Sequence, residues 1–331
     1  MFFKVRIGAF VSGDPRSIMV VDDIRAVVAS GRPLLLDGGL GSELKRRGLD
    51  ISSPLWSAEL LLRQPQALRQ VHRDYLQAGA QCITTASYQA SIPGLAARGL
   101  SEAEIEAVFR VSVELACEVR DDFVRSHPGS GFRPLVAASV GPYGAFLADG
   151  SEYRGNYGLG DADLREFHEQ RLRWLDDSDA DLIACETIPD LQEARVLSRL
   201  LESVTTPSWI SFCCRDSQRL HDGHLLAEAA GLLRDHVQVF AVGINCCAPG
   251  DVESLIGEMR AVAGAKLIVV YPNSGQQYDA DAKQWSGAGG LRHWSEFAGR
   301  WFHAGAGIIG GCCTIGPAYI RQLASRESWH Y

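Results

Sequence analysis

Short apolar runs recur along the chain, and between them apolar positions return with helical spacing. The runs Leu34–Asp37, Cys82–Ser87, Leu135–Val140, Leu182–Glu186, Ser208–Cys213, Val239–Asn245, Leu267–Tyr271 and Gly307–Gly310 are bounded by turn residues and read as buried strands. Segments such as Glu102–Arg125, Asp161–Asp176, Leu191–Leu201, Leu225–Leu233, Asp251–Val262 and Leu291–Phe302 read as amphipathic helices. Eight alternating units predict a closed (β/α)8 barrel, the TIM barrel, as a single α/β domain. An open doubly wound sheet is the other arrangement this alternation allows. The Gly-rich turn Leu36–Gly41, however, has neither the GxGxxG spacing nor that of a P-loop. Asp22–Ser30 reads as a short helix ended by Gly31. Residues 1–22 carry no periodic pattern and read as a poorly ordered extension, with the barrel over 23–331.

Composition narrows this. The chain has 331 residues, 46% hydrophobic and 22% charged, which suits one large core. A net charge of −8 argues against nucleic acid or an anionic membrane as partner. No apolar run approaches the ~20 residues that span a bilayer. Met1–Gly13 lacks the apolar centre of a signal peptide. Nine cysteines, several of them adjacent, fit a reducing compartment such as the cytoplasm better than a disulfide framework.

The candidate chemistry lies at strand ends. Cys246 closes the run Val239–Asn245, and Gly310-Gly311-Cys312-Cys313 closes the last one. In a barrel, active sites occupy the C-terminal ends of the strands, so strands six and eight can aim three thiols at one point. Three thiolates suit zinc, and three protein ligands leave a fourth position open, as in a catalytic site. Neighbouring residues of a strand face opposite ways, so the chain must bend at Cys312-Cys313, and Gly310-Gly311 give it backbone freedom. The competing reading makes these cysteines small packing residues, which is how Cys82, Cys117 and Cys185 are read. Cys213 and Cys214 end strand five near the same mouth, and Cys247 is expected to face away. No histidine has metal-ligand spacing, and there is no Gly-x-Ser-x-Gly elbow. A metal-dependent hydrolase therefore has little support.

Asp37 ends strand one and Glu186 strand four. A carboxylate in an apolar strand is costly to bury unless it meets a cation, and a substrate ammonium is a natural partner. Turn capping by Asp37 and helix capping by Glu186 are the competing readings.

Together these residues resemble the zinc-dependent homocysteine S-methyltransferases. The likeness runs from about residue 34 to 320. It includes Asp37-Gly38-Gly39-Leu40-Gly41-Ser42-Glu43-Leu44, Pro54-Leu55-Trp56-Ser57, Thr84-Thr85-Ala86-Ser87-Tyr88-Gln89-Ala90 and Ser139-Val140-Gly141-Pro142-Tyr143-Gly144-Ala145. It continues through Glu186-Thr187-Ile188-Pro189, Gly243-Ile244-Asn245-Cys246, Tyr271-Pro272-Asn273-Ser274-Gly275 and the final cysteine pair. The resemblance implies zinc on Cys246, Cys312 and Cys313. It implies that Asp37 and Glu186 hold the homocysteine ammonium, that backbone near Gly38 and Thr85 receives its carboxylate, and that Asn245 is a further substrate contact. Thr314-Ile315-Gly316-Pro317 departs from the Arg-Thr-Thr-Pro common in the sulfonium-using members, and Cys247 is unusual.

The implied reaction forms methionine from a zinc-activated homocysteine thiolate and a sulfonium donor, S-methylmethionine or S-adenosylmethionine. A neutral thioether leaves, so no general acid is needed. The betaine-using branch carries tyrosines where this chain has Thr187 and Gln89, which weakens that alternative. Trp56 is a candidate aromatic face for a methylated cation. A non-catalytic zinc-binding relative is the reading from another class.

Overall fold

The computed structural model describes residues 15–329, apart from 52, 54, 56, 130, 280–283 and 287–293. Ten strands are present among them: β1 (Leu34–Leu35), β2 (Cys82–Thr84), β3 (Leu135–Val140), β4 (Leu182–Ile188), β5 (Ser208–Phe212), β6 (Val239–Asn245), β7 (Leu267–Tyr271), β8 (Gln277–Asp279), β9 (Gln284–Ser286) and β10 (Ile308–Ile309). Eight form one parallel sheet in the order β1-β10-β7-β6-β5-β4-β3-β2, and β8 pairs with β9 in a separate antiparallel hairpin. A parallel bridge between Leu36 and Cys82, with Asp37 N–H donating to Cys82 O at 3.0 Å, joins the two ends of the sheet. The result is the (β/α)8 barrel that the alternating pattern predicts.

Side-chain alternation sorts the strands into an inner and an outer layer. Leu34, Leu36, Leu135, Ala137, Leu182, Ala184, Trp209, Ala241, Val269 and Ile308 pack as one interior cluster. Their neighbours Leu35, Val136, Ile183, Ile210, Val242 and Ile309 pack outward with the helices. Continuing the inward alternation along β3, β4, β5 and β6 gives Ser139, Glu186, Ser211 and Asn245, which are polar. The same period that builds the core therefore delivers polar groups to its C-terminal mouth.

The first helix begins earlier than the sequence pattern suggests. It spans Pro15–Ala29, and Val20, Val21 and Ile24 are buried in the barrel's interior cluster beside residues that start the strands. Ser17 Oγ donates to Thr205 O at 3.1 Å, just ahead of β5. This helix closes the N-terminal mouth. The consecutive run Ile18-Met19-Val20-Val21 hides its period. Of the expected extension, residues 1–14 lie outside the described residues, as do 291–293 at the start of the expected Leu291–Phe302 helix, which is seen as Trp294–Ala304.

Candidate active site

Three sulfurs meet at the C-terminal mouth. Cys246 follows β6 with a left-handed backbone (φ 50°), and its N–H donates to Tyr271 O at 3.3 Å. Cys312 and Cys313 follow β10 after the chain has left the sheet, and Cys312 N–H donates to Pro272 O at 2.8 Å. Gly310 and Gly311 do not take left-handed backbone, contrary to the freedom expected of them. What they provide is room: a Cβ on Gly310 would sit 2.5 Å from Leu36 Cβ, and one on Gly311 2.1 Å from an Ile315 methyl carbon. The left-handed residue that turns the chain is Thr314, at φ 66°.

The sulfurs of Cys246, Cys312 and Cys313 all lie within 4.8 Å of one another, and those of Cys246 and Cys313 are 3.9 Å apart. A tetrahedral zinc with sulfurs at ~2.3 Å requires sulfur–sulfur edges of ~3.8 Å. Cys246 and Cys312 are joined as a disulfide, so metal binding requires that these two be reduced. Burial pushes the Cys313 thiol up to about 12, and the Glu152 and Glu186 charges add to that rise. A dication at this point would reverse that preference, because a coordinating thiol is deprotonated outright. The donor set therefore fits zinc in chemistry, and the Cys246–Cys313 edge fits it in spacing, while the Cys246 and Cys312 sulfurs must separate to take the ion.

Asp37 and Glu186 are both buried beside this cluster. Neither is a cap. Asp37 accepts from Thr84 N–H at 2.8 Å and from Thr84 Oγ1 at 3.2 Å, across to β2. The helix after Glu186, Leu191–Leu201, is capped by Asp190. Glu186 instead accepts from Ser139 Oγ and also pairs with the Tyr271 hydroxyl. The β4–β5 register shifts between Cys185 and Ile188, a bulge that re-aims this part of β4. Burial raises the Asp37 carboxyl to about 8, helped by the Glu186 charge, and burial raises Glu186 as well. A cationic ligand would make the ionised form of both comfortable.

The other expected contacts divide. Gly38 lines the same pocket as Asp37 and the cysteines. Thr85 lines it too, but its N–H is donated to Ala137 O at 3.0 Å, and its hydroxyl is bonded to Ser87 Oγ at 2.6 Å and accepts from Ser139 N–H at 3.0 Å. The Asn245 amide is fully engaged: Oδ1 accepts from Thr187 N–H and Ser211 Oγ, and Nδ2 reaches Thr187 Oγ1 and, at 3.8 Å, Cys312 Sγ. Asn245 thus sets the positions of its neighbours. Cys213 Sγ lies 3.7 Å from Cys246 O, and Cys247 is buried. Trp56 lies outside the described residues.

Sequence reading missed Glu152, Tyr153 and Tyr88, all of which line the pocket. Glu152 and Tyr153 come from the short turn Ser151–Tyr153, within Asp149-Gly150-Ser151-Glu152-Tyr153-Arg154. That stretch has the composition of an ordinary surface loop, and no period marks it. Tyr153 bonds the Cys313 thiol, and Tyr88 bonds the Thr187 side chain. Among the described residues, three carboxylates and no lysine, arginine or histidine line this pocket.

Residues 34–326 match the family described as homocysteine S-methyltransferase. Homocysteine S-methyltransferase YbgG of Bacillus subtilis (strain 168) is 45% identical over 88% of this chain and 93% of its own. Homocysteine S-methyltransferase of Escherichia coli (strain K12) is also 45% identical, over 92% of this chain and 98% of its own. The crystal structure of the homocysteine methyltransferase MmuM from Escherichia coli, in its metallated form, superposes with a TM-score of 0.82 at 42% identity, covering 92% of this chain and 99% of that one.

Proposed function

The chain belongs to the homocysteine S-methyltransferase family, and from that membership we propose that it methylates homocysteine from a small sulfonium donor to give methionine. One observation carries the reading: three sulfurs within 4.8 Å of one another share a pocket with a pair of buried carboxylates, and no described basic side chain lines it. We assign zinc to Cys246, Cys312 and Cys313. Bound there, it supplies the acidity that keeps a substrate thiol as thiolate at neutral pH.

The remaining work falls to the chain's own groups. Asp37 and Glu186 take the homocysteine ammonium through charge-assisted hydrogen bonds and so fix the direction of the thiol. Gly38 backbone is the candidate for the substrate carboxylate, and Thr85 contributes at most its side-chain surface. Holding sulfur and methyl carbon in line supplies much of the rate, as expected for a transfer that needs no proton donor. The negative lining favours a cationic donor and disfavours an anionic one such as a folate. Thr187 is buried, and Gln89 is buried and donates to Ala145 O, so neither offers an aromatic face to a quaternary ammonium. The thiols must be reduced to work, which suits a reducing compartment such as the cytoplasm. No described helix is long and apolar enough to cross a membrane.

The test is a donor panel: reduced, zinc-loaded protein with homocysteine and equal concentrations of S-methylmethionine, S-adenosylmethionine and betaine. Methionine formed chiefly from a sulfonium is expected. Methionine formed chiefly from betaine would overturn the donor assignment, and none from any donor would favour a non-catalytic relative.

A further inference from the structure

We propose that Glu152 is the counter-charge for the methyl donor, its carboxylate facing the donor's sulfonium centre beside the thiol cluster. The inference rests on the sulfonium reading above. Glu152 is only 6% exposed, and its Oε2 is buried without a hydrogen-bond partner, in the pocket that holds the three cysteines. A buried carboxylate oxygen with nothing bonded to it is costly, and a cationic ligand removes that cost.

Of the charges near it, Asp149 opposes its ionisation and Arg154 favours it, but no basic side chain bonds its carboxylate. Arg154 is occupied by Asp149, at 3.1 Å, and by Ser151 Oγ, at 2.8 Å. The other polar groups facing Glu152 are Tyr88, Tyr153 and Cys213, neutral in their usual state, and Cys313, which the zinc assignment makes a metal ligand. Asp37, Glu186 and Glu152 all line the pocket that holds Cys246, Cys312 and Cys313. The sulfur site is thus within reach of both carboxylate groups, one for each substrate's cation. Burial raises the Glu152 carboxyl to about 7, and a cation bound beside it would keep it ionised.

The backbone that carries Glu152 is fixed. Gly144, in the helix Tyr143–Leu147, packs so closely that a Cβ there would lie 2.5 Å from Glu152 N. Tyr88 and Tyr153 add aromatic faces in the same pocket, which suit a methylated cation.

The role has a kinetic signature. Methyl transfer removes the positive charge from the donor sulfur, so a carboxylate stabilises the bound donor more than the transition state. Glu152→Gln keeps shape and removes charge. We expect KM for the sulfonium donor to rise at least ~10-fold, with kcat at saturating donor within ~threefold of wild type and KM for homocysteine and zinc content unchanged. Trimethylsulfonium, which carries the charge and nothing else, should compete with donor in wild type and bind at least ~10-fold more weakly to Glu152→Gln. Glu152→Asp should recover part of the loss. Wild-type turnover of a sulfonium with unchanged donor KM in Glu152→Gln overturns this assignment alone. Failure of the wild type to use any sulfonium overturns the donor reading and this assignment together.

Discussion

Asn245 holds Thr187 in a left-handed backbone conformation. Its Oδ1 accepts the Thr187 N–H at 2.7 Å and its Nδ2 donates to Thr187 Oγ1 at 2.7 Å, while Thr187 sits at φ 63°. A β-branched residue in that region is an outlier that costs on the order of 1–2 kcal/mol. Two buried hydrogen bonds from one amide are enough to offset it. The consequence is positional: Thr187 follows Glu186 in the bulged part of β4, and the same amide touches Cys312. One side chain therefore ties the carboxylate half of the pocket to the sulfur half.

Asn245→Ala should cost about 1–3 kcal/mol, because it leaves the Thr187 N–H buried and unpaired and its hydroxyl with Tyr88 alone. Zinc affinity should also fall, by ~10-fold or more, as happens when a group that orients a metal ligand is removed. Urea unfolding and zinc retention on dialysis measure the two effects. An unchanged unfolding midpoint would show that Thr187 holds its conformation without the amide.

Each of Cys246→Ala, Cys312→Ala and Cys313→Ala should lose most zinc and activity while the barrel stays folded, since the sulfurs lie at the rim and not in the core. In wild type, the Cys246–Cys312 bond and the metal compete for the same atoms. Oxidised protein should bind little zinc, and reduction should restore about one equivalent. Metal analysis decides it: full zinc in Cys246→Ala, or in fully oxidised protein, would refute the ligand set.

Asp37→Asn and Glu186→Gln should retain zinc and raise KM for homocysteine by ~10- to 100-fold, from ~1.5–3 kcal/mol for each charge-assisted bond. Asp37 also carries a stability signature. Its folded carboxyl is raised to about 8 from 3.8, so between those pH values the folded state holds a proton that the unfolded state releases. Stability of the substrate-free protein therefore falls as pH rises from about 4 to about 8, by at most ~1.4 kcal/mol for each pH unit crossed. Asp37→Asn has no such proton. Its Tm should exceed the wild-type Tm at pH 8 by more than at pH 4. A Tm difference that does not widen with pH would show that Asp37 is ionised in the folded protein.

Much of this is legible in the amino-acid pattern. The period-two alternation of β3, β4 and β6 carries both the core and the inward aim of Glu186, and the strand-end cysteines announce themselves by residue type. What stays hidden depends on contacts between distant segments. Glu152 looks like any surface glutamate until the fold buries it in the pocket, with Gly144 packed against its backbone. Turn capping stays open as the competing reading of Asp37 until Thr84 of the adjacent strand is seen to supply its donors. Gly310-Gly311 reads as a hinge, yet its role is the space that Leu36 and Ile315 fill. The first helix is only half legible, because four consecutive apolar residues conceal which of them face the barrel.

That helix gives the last prediction. Val20, Val21 and Ile24 pack into the interior cluster at the N-terminal mouth, at the opposite end of the strands from the cysteines. Ile24 is fully buried, so Ile24→Ala removes several buried methyl and methylene contacts and leaves a cavity beside the strand starts. The expected cost is about 2–4 kcal/mol. In this fold the two mouths have separate tasks, stability at the bottom and chemistry at the top. Ile24→Ala should therefore lower the urea midpoint while kcat and both KM values, measured well below the unfolding transition, stay within about twofold of wild type. A selective rise in homocysteine or donor KM, with the unfolding midpoint intact, would place this helix in the catalytic machinery instead and contradict the role assigned to it.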